Sequence, residues 1–555
     1  MRKKAIFISD FTIDNFVNIL LADKSLSEFE IVEPPLSGAI NSLIDIDNVC
    51  WQDVNLCTIW FTPNCILPEL NNINNQLKIS DKYINQSIDN FTKLIINLSK
   101  KVEMLFIPSF SYNTINRDIN FLSMSDNNLS NIIIKMNIRL IENLKKYENL
   151  FILNTDRWIK TVGKKSFNAR SWYKAKIPFS NELFVEASKD ILSAIHASKG
   201  LTKKLLILDL DNTLWGGVVG EDGIENIDLG GHSATGESFV DFQKNILNLK
   251  SRGILLAIVS KNNEIDGLHA IENHPEMILK KKDFVSWRIN WENKEDNIIE
   301  IVEELNLGLD SVVFIDDSEI ERNRIINFLP QVLVPEFPAS PFDLSNFLNE
   351  LSCFDKISIT VEDTNRQQMY ADEEKRKVDK LASNNVKDWF SKLEIKIEAN
   401  KLDRNNLKRC VQLLNKTNQM NLSTRRMTET EFLTWSTYDN IHVFTINVSD
   451  KFGNYGLVGI LSVKKNNNVL DIIDYVVSCR ALGRKVEDSI LFLACQYGEL
   501  LKCNKVKLKY IKTNKNSACY RFLKESSIIH EETKNIFSIN TSDCFKPKDI
   551  SMNII

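Results

Sequence analysis

The sequence predicts a multidomain α/β protein, and three observations carry that prediction. At 555 residues the chain is too long for one hydrophobic core, so about three or four domains are expected. Two successive regions alternate short aliphatic runs with longer helix-period stretches, the pattern of parallel, doubly wound sheets. A third region gathers several strand-like runs with few helices between them, which fits an α+β domain around a mostly antiparallel sheet. Hydrophobic residues make up 43% and charged residues 26% of the chain, ordinary values for a soluble globular protein.

The first region, residues 1–199, holds the runs KKAIFIS, NLCTIWF, VEMLFIP and NLFILNT. Each is short, aliphatic and flanked by helical or polar sequence, as buried parallel strands are. Residues 200–355 repeat the pattern with LLILDL, GILLAIVS, SVVFIDD and QVLVPEF, and a doubly wound sheet is again the economical arrangement. Residues 356–392 turn charged and helical (EDTNRQQMYADEEKRKVDKLA) and read as a connector. Residues 393–555 supply LEIKIEAN, HVFTINVSD, YGLVGILSVKK, VLDIIDYVVS and KVKLKYIKT, the strands of the third domain. Asn-rich patches such as NNINNQ read as solvated loops, and no internal repeat is found.

Composition and charge also exclude. A net charge of -4 leaves no basic footprint, so no nucleic-acid partner is expected. The opening MRKKAIFIS imitates a signal peptide, but Asp10 interrupts it, and no later apolar run approaches the roughly 18 residues that span a bilayer. No membrane partner is expected, and the protein reads as cytoplasmic. Its cysteines are scattered without a CxxC pair, and none falls between Cys65 and Cys353. That spacing suggests neither a zinc site nor a disulfide framework, and most are small core residues.

The chemistry concentrates in the middle region. In an open parallel sheet, ligands bind beyond the carboxyl ends of the strands, so residues ending successive apolar runs share one crevice. Asp209 and Asp211 end the first run, Ser260 and Lys261 the second, and Asp316 and Asp317 the third, while Lys294 stands in WENKEDN, where a helix can begin. Two carboxylates as close as Asp209 and Asp211 resist burial unless a cation or a proton sits between them. A hard cation such as Mg²⁺ takes oxygen ligands of this kind and cancels the repulsion between a carboxylate nucleophile and a phosphate. Asp209 could then carry an aspartyl-phosphate, Asp211 could exchange protons with the leaving oxygen and with water, and Ser260 and Lys294 could hold the transferring phosphoryl group. The set is equipment for phosphoryl transfer on a small phosphorylated substrate.

These residues, in the order DLDNT, IVSKN, a lone Lys294 and FIDD, resemble the four motifs of the haloacid dehalogenase superfamily. The resemblance implies a doubly wound fold, Asp209 as nucleophile, Asp211 as acid/base, Ser260 and Lys294 as phosphate ligands, and Mg²⁺ held among Asp209, Asp211, Asp316 and Asp317. LDLDNTLWGGVVGEDG, GESFVDFQ, HPEMIL, LNLGLDSVVFIDD and the pair Glu321–Arg322 further resemble the FkbH-like branch, subfamily IIIC. Some members of that branch load a glyceryl unit from a phosphorylated three-carbon acid onto an acyl carrier protein; others are treated as phosphatases in polysaccharide pathways. This chain departs from many relatives at Ser318, where they have Asn, and at Val259, where they have Cys. Too few residues separate Asp209, Ser260 and Lys294 to build a covering cap, so the site should be open.

The flanking regions carry weaker resemblances. The first is similar to the SGNH-hydrolase-like segment fused ahead of FkbH-like units, with Ser9 in the nucleophile's place. No histidine precedes His196, so hydrolysis by this domain alone is not expected, and a docking or structural role is. The last region resembles the GNAT acyltransferase fold. In SCRALGRKVEDSI, Arg480 and Gly483 match the turn that binds the pyrophosphate of acyl-CoA at a helix N-terminus, while Lys485 replaces a small residue. Asn516 and Tyr520 stand where such proteins place cofactor-side residues, and Cys479 is a thioester candidate. The resemblances imply Mg²⁺ and either acyl-CoA or a carrier's phosphopantetheine as cofactors. The leading expectation is loading of an acyl unit onto a carrier protein; the alternatives are a phosphatase for a sugar or small phosphate ester, and a scaffold that only binds phosphate or Mg²⁺.

Overall fold

A computed structural model of the chain describes residues 3–34, 40–70, 79–112, 128–147, 149–356, 372, 376, 379, 389, 391–478, 481–513, 516–548 and 550–554. Most of the expected connector at 356–392, together with Cys479 and Arg480, lies outside the described residues. The chain divides into two compact units, Met1–Ile195 and His196–Ile555.

In the first unit, β1 (Lys3–Ser9), β2 (Phe29–Ile31), β3 (Val54–Trp60), β4 (Val102–Pro108) and β5 (Leu150–Leu153) form a parallel sheet in the order β2-β1-β3-β4-β5. Alternate residues of β1 enter opposite cores. Ile6 and Ile8 pack with Ile88, Ile95 and Met136, whereas Ala5 and Phe7 pack with Phe16, Phe184 and Ile191. Helices therefore cover both faces, and near-continuous aliphatic strands follow from that double burial. β2 has no counterpart among the expected strands. It is three residues long, lies at the sheet edge and is largely exposed, so it leaves no apolar run to read.

The second unit contains two sheets. β6 (Leu205–Leu208), β7 (Leu255–Ser260), β8 (Ser286–Ile289) and β9 (Val312–Ile315) are parallel, in the order β8-β7-β6-β9. Leu206 and Leu208 face one core with Phe242 and Ile246, and Leu205 and Ile207 face the other with Ile298 and Ile301. The expected strand QVLVPEF makes only a single-residue bridge, Leu333 to Val313. Pro335 has no N–H to extend the ladder. In its place SWRI forms β8, whose Trp and Arg broke the aliphatic signal.

The other sheet comprises β10 (Ile395–Lys401), β11 (Ile441–Asp450), β12 (Gly453–Asn466), β13 (Val469–Val477), β14 (Lys505–Lys509), β15 (His530–Thr533), β16 (Ile536–Asn540) and β17 (Ile550–Ile554). Their order is β15-β16-β14-β13-β12-β11-β10-β17, antiparallel except for the parallel pairs β13–β14 and β10–β17. The chain is thus a multidomain α/β protein, as its sequence predicts.

Candidate active site

The site is built where the central strands β6 and β9 end side by side. Asp209 follows β6, and its N–H donates to Ile315 O at 3.0 Å, which fixes it beside the start of the Asp316–Asp317 turn. One carboxylate oxygen from each of Asp209, Asp316 and Asp317 lies within 4.8 Å of the other two, close enough to share a cation. Asp316 is fully buried and Asp209 nearly so. Lys294, the first residue of the helix Lys294–Glu304 after β8, sends its ammonium to Asp209 Oδ1 at 2.8 Å and Asp316 Oδ2 at 2.6 Å. Burial disfavours that charge, but the two carboxylates outweigh it and hold the Lys294 pKa above its ordinary value.

The same burial acts on the acids. Desolvation, and then repulsion from Asp209, push Asp316 up to about 6 against the pull of Lys294. Asp317 is raised for the same two reasons. Three carboxylates facing one ammonium leave net negative charge in a largely water-free place, which is the chemistry of a divalent-cation site.

Asp211 stands apart from this trio, although it was expected among the metal ligands. Its Oδ1 accepts the Trp215 indole N–H and the Val219 N–H, both at 3.0 Å, and its Oδ2 accepts Asn262 Nδ2 at 2.8 Å. The carboxylate is held from three sides by these donors. Desolvation raises its pKa, so it keeps a proton to higher pH than an exposed Asp. The backbone supports this turn. Asn212 adopts φ 54 and accepts the Gly217 N–H, and Gly217 sits at φ 94, where a Cβ would meet Asp222 Oδ2 at 2.7 Å.

Ser260 ends β7 as expected and is buried, on the strand next to β6. Lys261 points to Glu321 instead, pairing at 2.8 Å, so its charge is spent locally. Sequence reasoning missed three supports. Asn262 and Trp215 hold Asp211, and Arg322 Nη1 donates to the Asp316 and Asp317 carbonyls at 2.8 and 2.6 Å, fixing the turn after β9. Asn262 closes the IVSKN motif, but its partner lies 51 residues away and no local period reveals the pairing. Ser318 caps the helix Glu319–Phe328, and its N–H donates to Asp316 Oδ1 at 2.9 Å.

In the first unit, the Ser9 hydroxyl accepts the Phe11 N–H at 3.1 Å, and Asp10 accepts the Thr62 N–H at 2.8 Å as well as its hydroxyl. A cleft at the ends of β4 and β5, lined by Ser109, Asn137, Tyr147 and Asp156, contains none of the motif residues. No helix among the described residues is long and apolar enough to cross a membrane.

No protein-family model matches the chain, and no curated protein matches it significantly. Among solved structures it is similar to the N-terminal part of the protein BF1531 from Bacteroides fragilis, which contains a phosphatase domain and is complexed with Mg. That likeness has 29% identity and a TM-score of 0.58, over 64% of this chain and 94% of the other. Two acetyltransferases match over 26% of this chain and 94% of their own: a mutant spermidine N-acetyltransferase SpeG from Vibrio cholerae, 15% identical with a TM-score of 0.21, and the ribosomal-protein-S18-alanine N-acetyltransferase of Escherichia coli, 11% identical with a TM-score of 0.20.

Proposed function

We propose that the chain is a magnesium-dependent phosphotransfer enzyme that works through an aspartyl-phosphate on Asp209. The observation that carries this reading is the clustering of Asp209, Asp316 and Asp317 at the ends of β6 and β9, with Lys294 paired to the first two. The Mg-complexed phosphatase domain of the similar Bacteroides protein supports the same class of chemistry. Asp209, Asp316 and Asp317 would hold the cation, which when bound supplies the charge that lets a carboxylate approach a phosphate.

The chain's own residues account for the rest. An oxygen of Asp209 forms a bond to phosphorus as the ester P–O bond breaks, and Asp211 gives its proton to the leaving oxygen. The clamp of Trp215, Val219 and Asn262 aims that proton at one place. Lys294 and the Ser260 hydroxyl take up charge on the transferring oxygens. Water then attacks phosphorus, passes a proton to Asp211, and the Asp209–phosphorus bond breaks to release phosphate.

For the pathway role we propose loading of a glyceryl or related acyl unit from an acyl phosphate onto an acyl carrier protein in the cytoplasm. Val259 is fully buried inside β7, so no thiol stands there for a covalent relay. Either the carrier's thiolate attacks the acyl carbon directly, the acyl C–O bond breaks and phosphate leaves, or a cysteine of another domain relays the acyl group by the same exchange; the remaining ester phosphate is then the one that Asp209 removes. Val259 also favours a second reading, hydrolysis of a sugar or small phosphate ester. Incubation with 1,3-bisphosphoglycerate, Mg²⁺ and holo-carrier proteins, read by intact-mass spectrometry, separates the two. Glyceryl-carrier supports loading; phosphate release with every carrier unmodified supports the phosphatase; neither product, with a panel of phosphate esters also untouched, refutes phosphotransfer.

A further inference from the structure

The strands β13 and β14 part company halfway. They pair only over Val469–Ile472, opposite Lys505–Leu508, yet β13 runs on to Val477 beside β12. Where parallel strands split, one backbone edge is left to bond something else. A pantetheine arm, with two amides of its own, can pair along such an edge as an added strand does. The pyrophosphate of the same cofactor asks for N–H groups at a helix N-terminus.

Both places are filled from within the chain. The segment Met420–Leu422 lies along the open edge of β13: Leu422 N–H donates to Tyr475 O at 3.1 Å and Val477 N–H to Met420 O at 2.9 Å, an antiparallel bridge centred on Asn421 and Val476. On its far side, Leu422 O accepts the Ile511 N–H at 3.0 Å. Asn516, expected to face a cofactor, pins this insert. Its Nδ2 donates to Asn421 O at 3.1 Å and Ile511 O at 2.9 Å, while its Oδ1 accepts the Thr513 N–H at 2.8 Å and the Tyr510 hydroxyl at 2.7 Å. Fully buried and with four bonds made, it has nothing left to offer a ligand.

In the turn before the helix Val486–Leu500, an N–H is already engaged. Gly483 N–H donates to Glu487 Oε1 at 2.7 Å, so a carboxylate of the chain sits where a phosphate oxygen would. Asp488 adds a second acid to the first turn. Two first-turn carboxylates satisfy the helix dipole and repel a further dianion. Tyr520 packs against Tyr510 and Phe537.

We infer that the C-terminal sheet has closed its own crevice with the Met420–Leu422 strand and does not bind acyl-CoA. The inference is independent of the phosphotransfer reading; under it, Gly483 and Asn516 hold no cofactor. Its test is calorimetric titration of the full-length protein with acetyl-CoA, with hydrogen exchange at Leu422 and Val477 followed in the same samples. The expected result is no saturable binding tighter than about 1 mM, with both amides slow to exchange and unaffected by the ligand. Saturable binding overturns the inference whether or not the amides respond. Fast exchange at both amides in the free protein, at the rate of an unpaired loop, overturns it as well.

Discussion

The acidic cluster at the ends of β6 and β9 and the filled crevice beside β13 are both polar and both buried, but their bookkeeping differs. At the first, three carboxylates crowd together with one ammonium paired to two of them, and burial holds Asp316 above the ordinary carboxylate range. At the second, Asn421 and Asn516 meet partners on every side, and the Gly483 N–H has found a carboxylate. Unbalanced charge held at a strand end is costly to a fold unless something binds there, whereas a saturated network is complete without a ligand. The difference separates a cluster that is short of a counter-charge from a network that is complete on its own.

The sharpest way to break this comparison is to neutralise the nucleophile. Asp209→Asn is expected to lower phosphate release by at least about a thousandfold, as loss of a covalent nucleophile does, with circular dichroism unchanged. Release at the wild-type rate would move the nucleophile elsewhere. Metal removal follows in size. Turnover should vanish in chelator and return with Mg²⁺, and Asp316→Ala should stay inactive at any Mg²⁺ concentration reachable in the assay. Full activity without metal would leave the acids unexplained.

The pH dependence sharpens the electrostatic half. Asp316 titrates near 6 in the fold against 3.8 in an unfolded chain, so the metal-free native state holds the extra proton between those values. Stability that is fully present below about 4 is therefore lost as pH rises through about 6. Melting of metal-free wild type and Asp316→Asn should diverge in the variant's favour over that window. Mg²⁺ affinity should in turn weaken as pH falls below about 6, because the proton and the cation compete. The smallest effect belongs to the saturated network. Asn516→Ala should cost about 1–3 kcal/mol by stranding buried partners, read by denaturant unfolding, and should leave phosphate turnover unchanged. A matching loss of turnover would join the two regions that the comparison separates.

How much of this was legible depended on how local the signal is. LLILDL, LLAIVS and VVFIDD name their strands and place Asp209, Ser260 and Asp316 at the carboxyl ends, because a doubly buried strand must be aliphatic and its last residue need not be. β8 escaped because Trp287 and Arg288 interrupt its run, and QVLVPEF misled because only Leu333 of it joins the sheet, by a single bridge to Val313. Asp211 was legible as an acid but not as a clamped one. Trp215 reads as core, and Asn262 reads as loop, until the fold brings them to it.

By itself the sequence determined the α/β class, the two aliphatic sheets of the first two regions and the oxygen-rich strand ends, since each follows from the period and composition of a short stretch. Only the tertiary structure decided which carboxylates converge, that Lys294 bridges two of them, and that Met420–Leu422 fills the edge of β13. Those outcomes depend on pairings between residues tens of positions apart. Hydrogen-bond capacity is a property of each residue, but whether it is already spent is a property of the fold.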